Sequence, residues 1–556
     1  MISDDRRTPD RVLVVGLDGA SFDLIEPWAA EGKLPTLAHL MAEGTHGLLR
    51  SVIPPLTMPA WSSFLTGMLP GHHGIYSFLR RKPDSYDLTP FNASHLQMPD
   101  LGTLLNQVGR RVASVNVPAT YPPKPLDGLV VTGLETPSRD GRFTHPPSLG
   151  QALVERFDYQ IELSEMYDPG QEDSFMAAVE RSEGKRLGAT LWLLDRVAWD
   201  LFVVVFRGTD LMGHAFWRFM DPSHPAHEPN LARRYGEALL QHYQQMDHAI
   251  AALQERVGPE TTLLLMSDHG VGPLHREVYI DNLLAEHGLL HIKQTPTAQL
   301  RHFLLKLGVT PRNLLRLLAL LRLRNLTRKL LPQKVRVGVN LRMLMQNSVD
   351  WSSTKAYPLY GSCQIAVNLK GREPQGIIEP GAEYDQVCAE VEHILHTLRD
   401  PGTGQPMVKR VWHKRELYGN DAVPELPDLY VEWINDAYAD VGAIGYSRGI
   451  VSEPIRGRSG GHTMRGIFLA HGPGIKRDYT VKGACLIDLA PTIMHLLGAA
   501  VPAHMEGKVL IDIWENEQTV VYDSYESTPF HEKEVHAFSD QDQATVEERL
   551  RNLGYI

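Results

Sequence analysis

Residues 201–214 read LFVVVFRGTDLMGH, an apolar run followed by two side chains that can bind a metal ion. The run LFVVVF has the length and the continuous apolarity of a buried parallel strand. Asp210 and His214 follow it four residues apart, which places both side chains on one face of a helical turn. A carboxylate with an imidazole suits zinc or manganese. An exposed i,i+4 pair is the alternative explanation of this spacing.

Similar apolar runs recur along the chain, at 12–19 (VLVVGLDG), 111–118 (RVASVNVP), 261–270 (TTLLLMSDHG) and 465–472 (RGIFLAHG). Between the runs, the pattern predicts helices at about 34–43, 59–67, 172–197 and 232–256. This alternation predicts an α/β fold with a mostly parallel central sheet flanked by helices. Such sheets bind ligands at the carboxyl ends of their strands. Four polar residues fall there: Asp18, Asp210, Asp268 and His269.

The composition of the 556-residue chain is that of a globular protein, with 43% hydrophobic and 22% charged residues. At this length we expect one large domain with insertions, or two domains. The net charge of −11 argues against a partner such as duplex nucleic acid. Three cysteines are too few for a disulfide framework or a thiolate metal site. The sequence has no apolar stretch long enough for a signal peptide or a membrane span, so we expect a cytoplasmic protein.

A basic segment interrupts the predicted core. Residues 291–349 hold twelve Lys or Arg and no Asp or Glu, and their Leu-rich pattern predicts one or two amphipathic helices. These helices could pack on the core, or contact the substrate or the surface of a membrane. Residues 355–424 predict a small α/β unit. We therefore expect a core of 1–290 and 425–515, an inserted cap at 291–424, and a polar tail at 516–556 that ends in a short helix.

Thr57 lies in SVIPPLTMPAWSSFLTG, at the start of a predicted helix. The N-terminus of a helix attracts anions such as phosphate. A hydroxyl there becomes a useful nucleophile when a metal lowers its pKa. A helix cap is the alternative role for this threonine.

The remaining candidates also adjoin predicted strands. Asp18 can reach a cation above the sheet edge, although Asp-Gly is also a common turn pair. Asp268 and His269 are neighbours and can bind one ion only from a turn, which the glycines after them permit. His462 lies between glycines and a strand, whereas His471 and His275 are weaker candidates.

The order Asp, Thr, Asp-x-x-x-His, Asp-His, Gly-His resembles the alkaline phosphatase superfamily, and within it the type I phosphodiesterase/nucleotide pyrophosphatase family. The resemblance covers the proposed core, leaves the basic segment uncovered, and implies an alkaline phosphatase-like fold. It is carried by VVGLDGAS, TMPAWSSFLTGMLPGHHGI, GTDLMGHAFW, SDHGVGP, SGGHTMRGIFLAHGPGI and the closing ACLIDLAPTIMHLLGAAVPAHMEGKVL.

The resemblance implies a metal-dependent hydrolase of small phosphate esters with two divalent metal ions, zinc first and manganese as the alternative. One ion would be held by Asp210, His214 and His462. The other would be held by Asp18, Asp268 and His269, with Thr57 approaching it. Thr57 would be the nucleophile and would form a phospho-threonine intermediate.

The chain also departs from its relatives. Thr57, Pro59 and Trp61 do not match the C/S-x-P-x-R signal of sulfatases, which argues against that activity. Nucleotide pyrophosphatases have a phosphate-contacting Asn where this chain has Phe78. Substitutes for that Asn would be Arg80, Arg81 or Asn92.

Two other functions stay open at this point. One is a phosphomutase of the same superfamily, which would return the phosphoryl group to its substrate. The other is a non-catalytic protein that binds a membrane surface through 291–349. The oligomeric state is not predicted.

Overall fold

The computed structural model describes residues 11–163, 167–293, 295, 348–359, 361, 363–441, 449–454, 457–523 and 538–553. The basic amphipathic helices expected at 291–349 lie almost wholly outside the described residues. The chain divides into two compact units. The first consists of Met1–Phe78, Pro90–Pro273 and Arg456–Leu553, and the second of Leu79–Thr89, Leu274–Ile455 and Gly554–Ile556.

The strands of the described residues, in chain order, are β1 (Val12–Leu17), β2 (Thr45–Arg50), β3 (Leu79–Arg81), β4 (Leu88–Pro90), β5 (Val112–Val117), β6 (Gly128–Thr132), β7 (Thr144–His145), β8 (Leu201–Phe206), β9 (Thr262–Met266), β10 (Gly270–Pro273), β11 (Arg276–Val278), β12 (Ala356–Leu359), β13 (Gln364–Val367), β14 (Val408–His413), β15 (Leu429–Trp433), β16 (Tyr438–Asp440), β17 (Val451–Ser452), β18 (Gly460–Thr463), β19 (Arg465–His471), β20 (Tyr479–Thr480), β21 (Ala484–Cys485), β22 (Val501–Pro502) and β23 (Tyr522–Asp523).

The α-helices of the described residues are α1 (Phe22–Ala30), α2 (Pro35–Glu43), α3 (Thr57–Thr66), α4 (Pro70–His73), α5 (Leu101–Gln107), α6 (Ser148–Phe157), α7 (Glu172–Leu194), α8 (Gly208–Met220), α9 (Pro229–Tyr235), α10 (Ala238–Val257), α11 (Ile280–Glu286), α12 (Ala382–His396), α13 (Lys414–Tyr418), α14 (Leu489–Leu496) and α15 (Asp540–Asn552). The single helix expected at 232–256 is thus divided between α9 and α10, and the division falls at Gly236, a residue type that weakens helices.

The central sheet of the first unit has the strand order β20-β2-β19-β9-β1-β8-β5-β6-β7, with β21 beside β2. Strands β9, β1, β8, β5 and β6 run parallel, while β19 is antiparallel to both β9 and β2. The predicted α/β fold with a mostly parallel sheet is therefore confirmed. The direction of β19 does not follow from its apolar pattern, which reports burial alone.

Side chains of the central strands point alternately to two apolar layers. Leu13, Val15 and Leu17 of β1 pack in one layer with residues of α1, α7, α8 and α10. Val12 and Val14 pack in the other, with residues of α3, α5 and α14. Helices thus cover both faces, and this explains why the strands read as continuous apolar runs.

The strand register aligns the carboxyl ends of β1, β8 and β9. Leu17 pairs with Phe206, and Gly16 pairs with Met266. The residues that follow these strands therefore emerge side by side at one edge of the sheet. That edge receives Asp18 and the segments that begin after Phe206 and Met266.

The second unit contains a four-stranded antiparallel sheet in the order β12-β13-β15-β14 and a three-stranded sheet in the order β16-β11-β17. The expected strand, helix and strand of the small α/β unit appear as β13, α12 and β14. Strand β15 falls within the second part of the expected core, 425–515. It pairs, however, with β13 and β14 of the second unit. The second unit includes this strand. An apolar run indicates that a strand is buried and leaves open which sheet it joins.

The polar tail expected at 516–556 contains α15, whose Val546 and Leu550 are buried. Arg549 of this helix donates hydrogen bonds to the carbonyl oxygens of Leu134, Thr136 and Pro137. The guanidinium therefore provides hydrogen-bond donors for three carbonyl oxygens of the loop that follows β6. Among the described residues, no helix combines the length and the apolarity needed to cross a bilayer.

Replacing Arg549 with Ala should lower the free energy of unfolding by about 1–3 kcal/mol, since three carbonyl oxygens lose a charged donor. Urea denaturation measures the loss. The exposed Glu548 of the same helix is the matched control, and Glu548→Ala should change stability by less than about 0.5 kcal/mol. Equal stability of the two variants would contradict this role of α15.

Candidate active site and metal centre

The first cluster of candidate ligands joins α8 to β18. Asp210 and His214 lie one turn apart on α8, with 3.1 Å between Asp210 Oδ1 and His214 Nε2. His462 of β18 brings its Nε2 atom to 3.3 Å from the same carboxylate oxygen. The two Nε2 atoms are 2.9 Å apart. Three ligand atoms from two elements thus converge on one point.

The tautomers of both histidines follow from their outer nitrogens. His214 Nδ1 lies 2.7 Å from the carbonyl oxygen of Gly460, and His462 Nδ1 lies 2.9 Å from that of Pro55. Since a carbonyl only accepts hydrogen bonds, each Nδ1 carries a proton and each Nε2 faces inward, where its lone pair can bind a metal. Two facing lone pairs beside a carboxylate repel one another, and a cation between them removes the repulsion. The residues of this cluster therefore fit a divalent metal ion.

The second cluster lies at the carboxyl ends of β1 and β9. His269 Nε2 is 3.3 Å from Asp268 Oδ2 and 3.7 Å from Asp18 Oδ1. Its Nδ1 atom donates to the carbonyl oxygen of Gly270 at 3.1 Å, so Nε2 again offers a lone pair. The hydroxyl oxygen of Thr57 lies 3.4 Å from this Nε2.

The two carboxylates of the second cluster each have one oxygen held and one oxygen turned inward. Asp18 Oδ2 accepts from Trp61 Nε1 at 3.4 Å and Arg207 Nε at 3.3 Å, and Asp268 Oδ1 accepts from the Gly19 amide at 3.3 Å. The inward atoms, Asp18 Oδ1 and Asp268 Oδ2, are buried and accept no hydrogen bond from any residue within the described ranges. Buried carboxylate oxygens without a donor are costly. A metal ion is the partner that this donor set fits.

Burial shifts the pKa values of four candidate ligands toward their neutral forms. Burial raises the pKa of Asp18 to about 7, although Arg207 opposes the rise. Burial, reinforced by the charges of Asp18 and Asp210, raises the pKa of Asp268 well above its ordinary value. Burial also lowers the pKa of His462 to about 4 and that of His269 well below its ordinary value. The imidazoles of His462 and His269 are thus neutral, as metal ligation requires.

The two clusters are adjacent. The rings of His269 and His462, one from each cluster, stack with their centroids 3.8 Å apart. The cause is the antiparallel pairing of β10 with β18, in which Val271 lies opposite His462. Because β10 directly follows Asp268 and His269, this short ribbon joins ligands that are almost 200 residues apart in the chain.

Two glycines permit the close approach of the ligand segments. Gly19 has a φ of +71°, and a Cβ added there would lie 3.1 Å from the Cα atom of Asp210. A Cβ added to Gly460 would collide with the carbonyl oxygen of Gly213 in α8. The turn after β1 and the contact of β18 with α8 therefore require residues without side chains.

Thr57 is the first residue of α3 and is fully buried. Leu56, which precedes it, provides no side-chain cap. The first amides of a helix lack partners within the helix, and together with the helix dipole they favour an anion. The hydroxyl and this anion-binding helix end lie together beside the second cluster.

The other predicted site residues have contacts of their own. Arg80 and Arg81 belong to β3, and Arg81 donates to the carbonyl oxygens of Ser85 and Arg372 at 3.1 and 3.0 Å. Asn92 Oδ1 accepts from the Ser94 amide at 2.9 Å and caps a 3-10 turn, Ala93–His95. The substrate-binding role of these three residues stays a prediction.

The two weaker histidine candidates are separate from the clusters. His471 lies opposite Leu263 of β9, toward the amino end of that strand and away from the edge that carries Asp268. His275 belongs to the second unit, where its amide donates to the carbonyl oxygen of Ala437 at 2.8 Å.

Sequence reasoning missed four residues around the ligands. Arg207 and Trp61 donate to Asp18, while Glu162 forms an ion pair with Arg207 at 2.7 Å. Glu183 Oε1 accepts from the amides of Arg207 and Gly208 and so caps α8. An Arg between an apolar strand and a ligand was a detectable signal, since a charge there needs a buried partner. The sequence positions of Glu162 and Glu183 carried no such signal.

Known proteins resemble the chain in sequence pattern and in fold. A family model described as type I phosphodiesterase / nucleotide pyrophosphatase matches residues 12–442. Phosphonoacetate hydrolase from Sinorhizobium meliloti 1021, in complex with phosphonoformate, aligns with a TM-score of 0.53 and 13% identity over 88% of this chain and 96% of that chain. Human ectonucleotide pyrophosphatase / phosphodiesterase 5 aligns with a TM-score of 0.49 and 14% identity over 91% of this chain and 100% of that chain. No curated protein sequence matches significantly. The likeness to solved structures shows a shared fold alone.

Replacing Asp268 with Asn should stabilise the metal-free protein and reduce the stabilisation that metal provides. The raised pKa means that folding of the metal-free protein becomes less favourable as pH rises above the ordinary pKa of an aspartic acid. An Asn removes this penalty, and its amide can donate to His269 Nε2. Thermal unfolding at pH 8, with chelator and then with excess zinc, measures both effects.

Wild type should gain about 4 kcal/mol per site when free metal is about 1,000 times the dissociation constant. Asp268→Asn should show a higher melting temperature than wild type in chelator and a smaller rise with zinc. The same metal-induced rise in both proteins would contradict the assignment of Asp268 as a ligand.

Proposed function

Because the chain belongs to the type I phosphodiesterase / nucleotide pyrophosphatase family, it is a hydrolase of phosphoric ester bonds, and we propose that it uses two divalent metal ions with Thr57 as the nucleophile. The first ion is held by Asp210, His214 and His462. The second is held by Asp18, Asp268 and His269, with Thr57 beside it. Zinc is the proposed metal and manganese the alternative, since mixed carboxylate and imidazole ligands suit both.

The observation that carries this proposal is the convergence of lone pairs in two adjacent buried clusters. In each cluster, histidines donate Nδ1–H to backbone carbonyls and turn Nε2 toward carboxylate oxygens. A divalent metal ion can bind the inward atoms of each cluster at once while these outer hydrogen bonds remain. A stacked ring pair, His269 on His462, links the clusters and supports a two-metal centre rather than two unrelated sites.

The residues of the chain would act in two chemical steps. When bound, two metal ions supply Lewis-acid stabilisation of the attacking and leaving oxygens and make the Thr57 hydroxyl more acidic. Thr57 Oγ forms a bond to phosphorus while the ester oxygen leaves, and the proton lost by Thr57 is balanced by the proton that the leaving alcohol gains. Water then cleaves the phospho-threonine and restores the hydroxyl. The amino end of α3 holds the phosphoryl oxygens during both steps.

The proposed substrates are small phosphoric esters, with diesters first. Thr57 is fully buried, which favours a small ester over a polymer as the substrate that reaches it. The net charge of −11 likewise disfavours nucleic-acid duplexes as substrates.

Thr57→Ala should lower the rate of hydrolysis of bis-(p-nitrophenyl) phosphate by at least about 10³-fold, because the nucleophile is lost. The variant should still bind two metals per chain, since six other side chains supply the ligands. Steady-state kinetics and metal analysis of the dialysed protein provide the two measurements.

Thr66→Ala is the matched control, because Thr66 is a buried threonine of the same helix whose hydroxyl donates to the carbonyl oxygen of Ser62. It should retain wild-type activity and metal content. Acid quenching during turnover, followed by mass spectrometry, should find a phosphate on Thr57. Wild-type activity in Thr57→Ala would refute the nucleophile, and an isomerised substrate in place of released alcohol would indicate phosphomutase chemistry.

A further inference from the structure

Arg207 is the first residue after β8, and its side chain is 1% exposed. Its guanidinium lies among three carboxylates. Nε is 3.3 Å from Asp18 Oδ2, Nη2 is 3.9 Å from Asp210 Oδ2, and Nη1 is 2.7 Å from Glu162 Oε2. Asp18 and Asp210 belong to different metal clusters. One buried cation therefore lies behind a ligand of each proposed metal.

We propose that Arg207 is a positioning residue shared by both metal sites, which holds the outer oxygens of Asp18 and Asp210 so that their inner oxygens face the metals. This inference rests on the two-metal function proposed above. In each carboxylate, Oδ2 lies toward Arg207 while Oδ1 faces a histidine Nε2. The same guanidinium thereby sets the orientation of one ligand in each cluster.

The guanidinium is itself fixed in place. Glu162 Oε2 forms a close ion pair with Nη1, at 2.7 Å, and its side chain is 2% exposed. The backbone amide of Arg207 donates to Glu183 Oε1 at 3.0 Å, and Glu183 pairs with Arg186 at 2.7 Å. Because Arg207 is held at both its backbone and its side-chain end, it can act as a rigid support for the ligands.

The shape of the side chain accounts for the use of Arg. Its planar fork can direct three N–H groups to three carboxylates at once, whereas a lysine offers a single ammonium point. Glu162 offsets the positive charge, so Arg207 can lie close to the metals with less repulsion than an unpaired cation would cause. The shape and the charge of the Arg207 side chain therefore both suit a residue that positions ligands of two metal sites.

Trp61 offers a contrast within the same cluster. Its Nε1 also donates to Asp18 Oδ2, at 3.4 Å, and Asp18 belongs to the second cluster alone. A group that contacts one ligand should affect one metal, whereas a cation that contacts a ligand of each cluster should affect both. Comparing variants of Trp61 and Arg207 therefore shows whether Arg207 positions ligands of both metal sites or only Asp18.

The test is calorimetric titration of the chelator-stripped full chain with zinc, for wild type and Arg207→Met. The expected result is that Arg207→Met binds both metals about 10- to 100-fold more weakly than wild type, the range typical of lost outer partners of metal ligands. Arg207→Lys keeps the charge and should weaken both metals less. Trp61→Phe should weaken only one of the two binding events.

Arg372→Met is the matched control, because Arg372 is a largely buried arginine of the second unit that pairs with Asp428 at 2.6 Å. It should lower the melting temperature of the stripped protein and leave both zinc affinities within about threefold of wild type. Zinc affinity is measured on the folded protein. It therefore distinguishes a residue that positions the ligands from one that only stabilises the fold.

Wild-type affinity for both metals in Arg207→Met and Arg207→Lys, weakening of one metal alone, or an equal loss in Arg372→Met would each overturn this inference. Failure of the proposed function has a different signature. In that case, wild type itself would bind no zinc at the two clusters.

Discussion

Lone pairs of histidine nitrogens and carboxylate oxygens face one another in the interior of the first unit, and this repulsion is the constraint on which the site depends. The outer atoms of the ligands already form hydrogen bonds with the backbone. Gly460, Pro55 and Gly270 accept the imidazole protons through their carbonyl oxygens, and the Gly19 amide donates to Asp268. The ligands therefore cannot rotate to relieve the repulsion without breaking these bonds. A cation in the centre relieves the repulsion and leaves these bonds intact.

The fold supplies this arrangement through strand register and not through proximity in sequence. Parallel pairing of β1 with β8 and β9 brings the residues after each strand to one edge of the sheet. A second pairing, of β10 with β18, brings His462 onto His269. Since the ligands span residues 18 to 462, the site forms only when the whole sheet is assembled. Arg207 lies at the point where β8 is followed by α8. Its guanidinium is 3.3 Å from Asp18 of one cluster and 3.9 Å from Asp210 of the other.

Local features of the site could be predicted from sequence, and long-range ones could not. The i,i+4 spacing of Asp210 and His214 fixes a shared helix face, and the glycines after His269 permit its turn. Grouping these residues into two sets of ligands came from family resemblance, because spacing does not report which strand ends meet. Glu162 lies 45 residues before its partner Arg207, and no local pattern links them. The membership of Leu429–Trp433 in the second sheet was missed for the same reason.

The most direct test of the central claim is anomalous X-ray diffraction from crystals grown with zinc, measured on both sides of the zinc absorption edge. The account predicts two anomalous peaks in the first unit. One should lie about 2.0–2.2 Å from the ligand atoms of Asp210, His214 and His462, and the other at the same distance from those of Asp18, Asp268 and His269. A single peak, or peaks that avoid these six side chains while they keep their present geometry, would contradict the account.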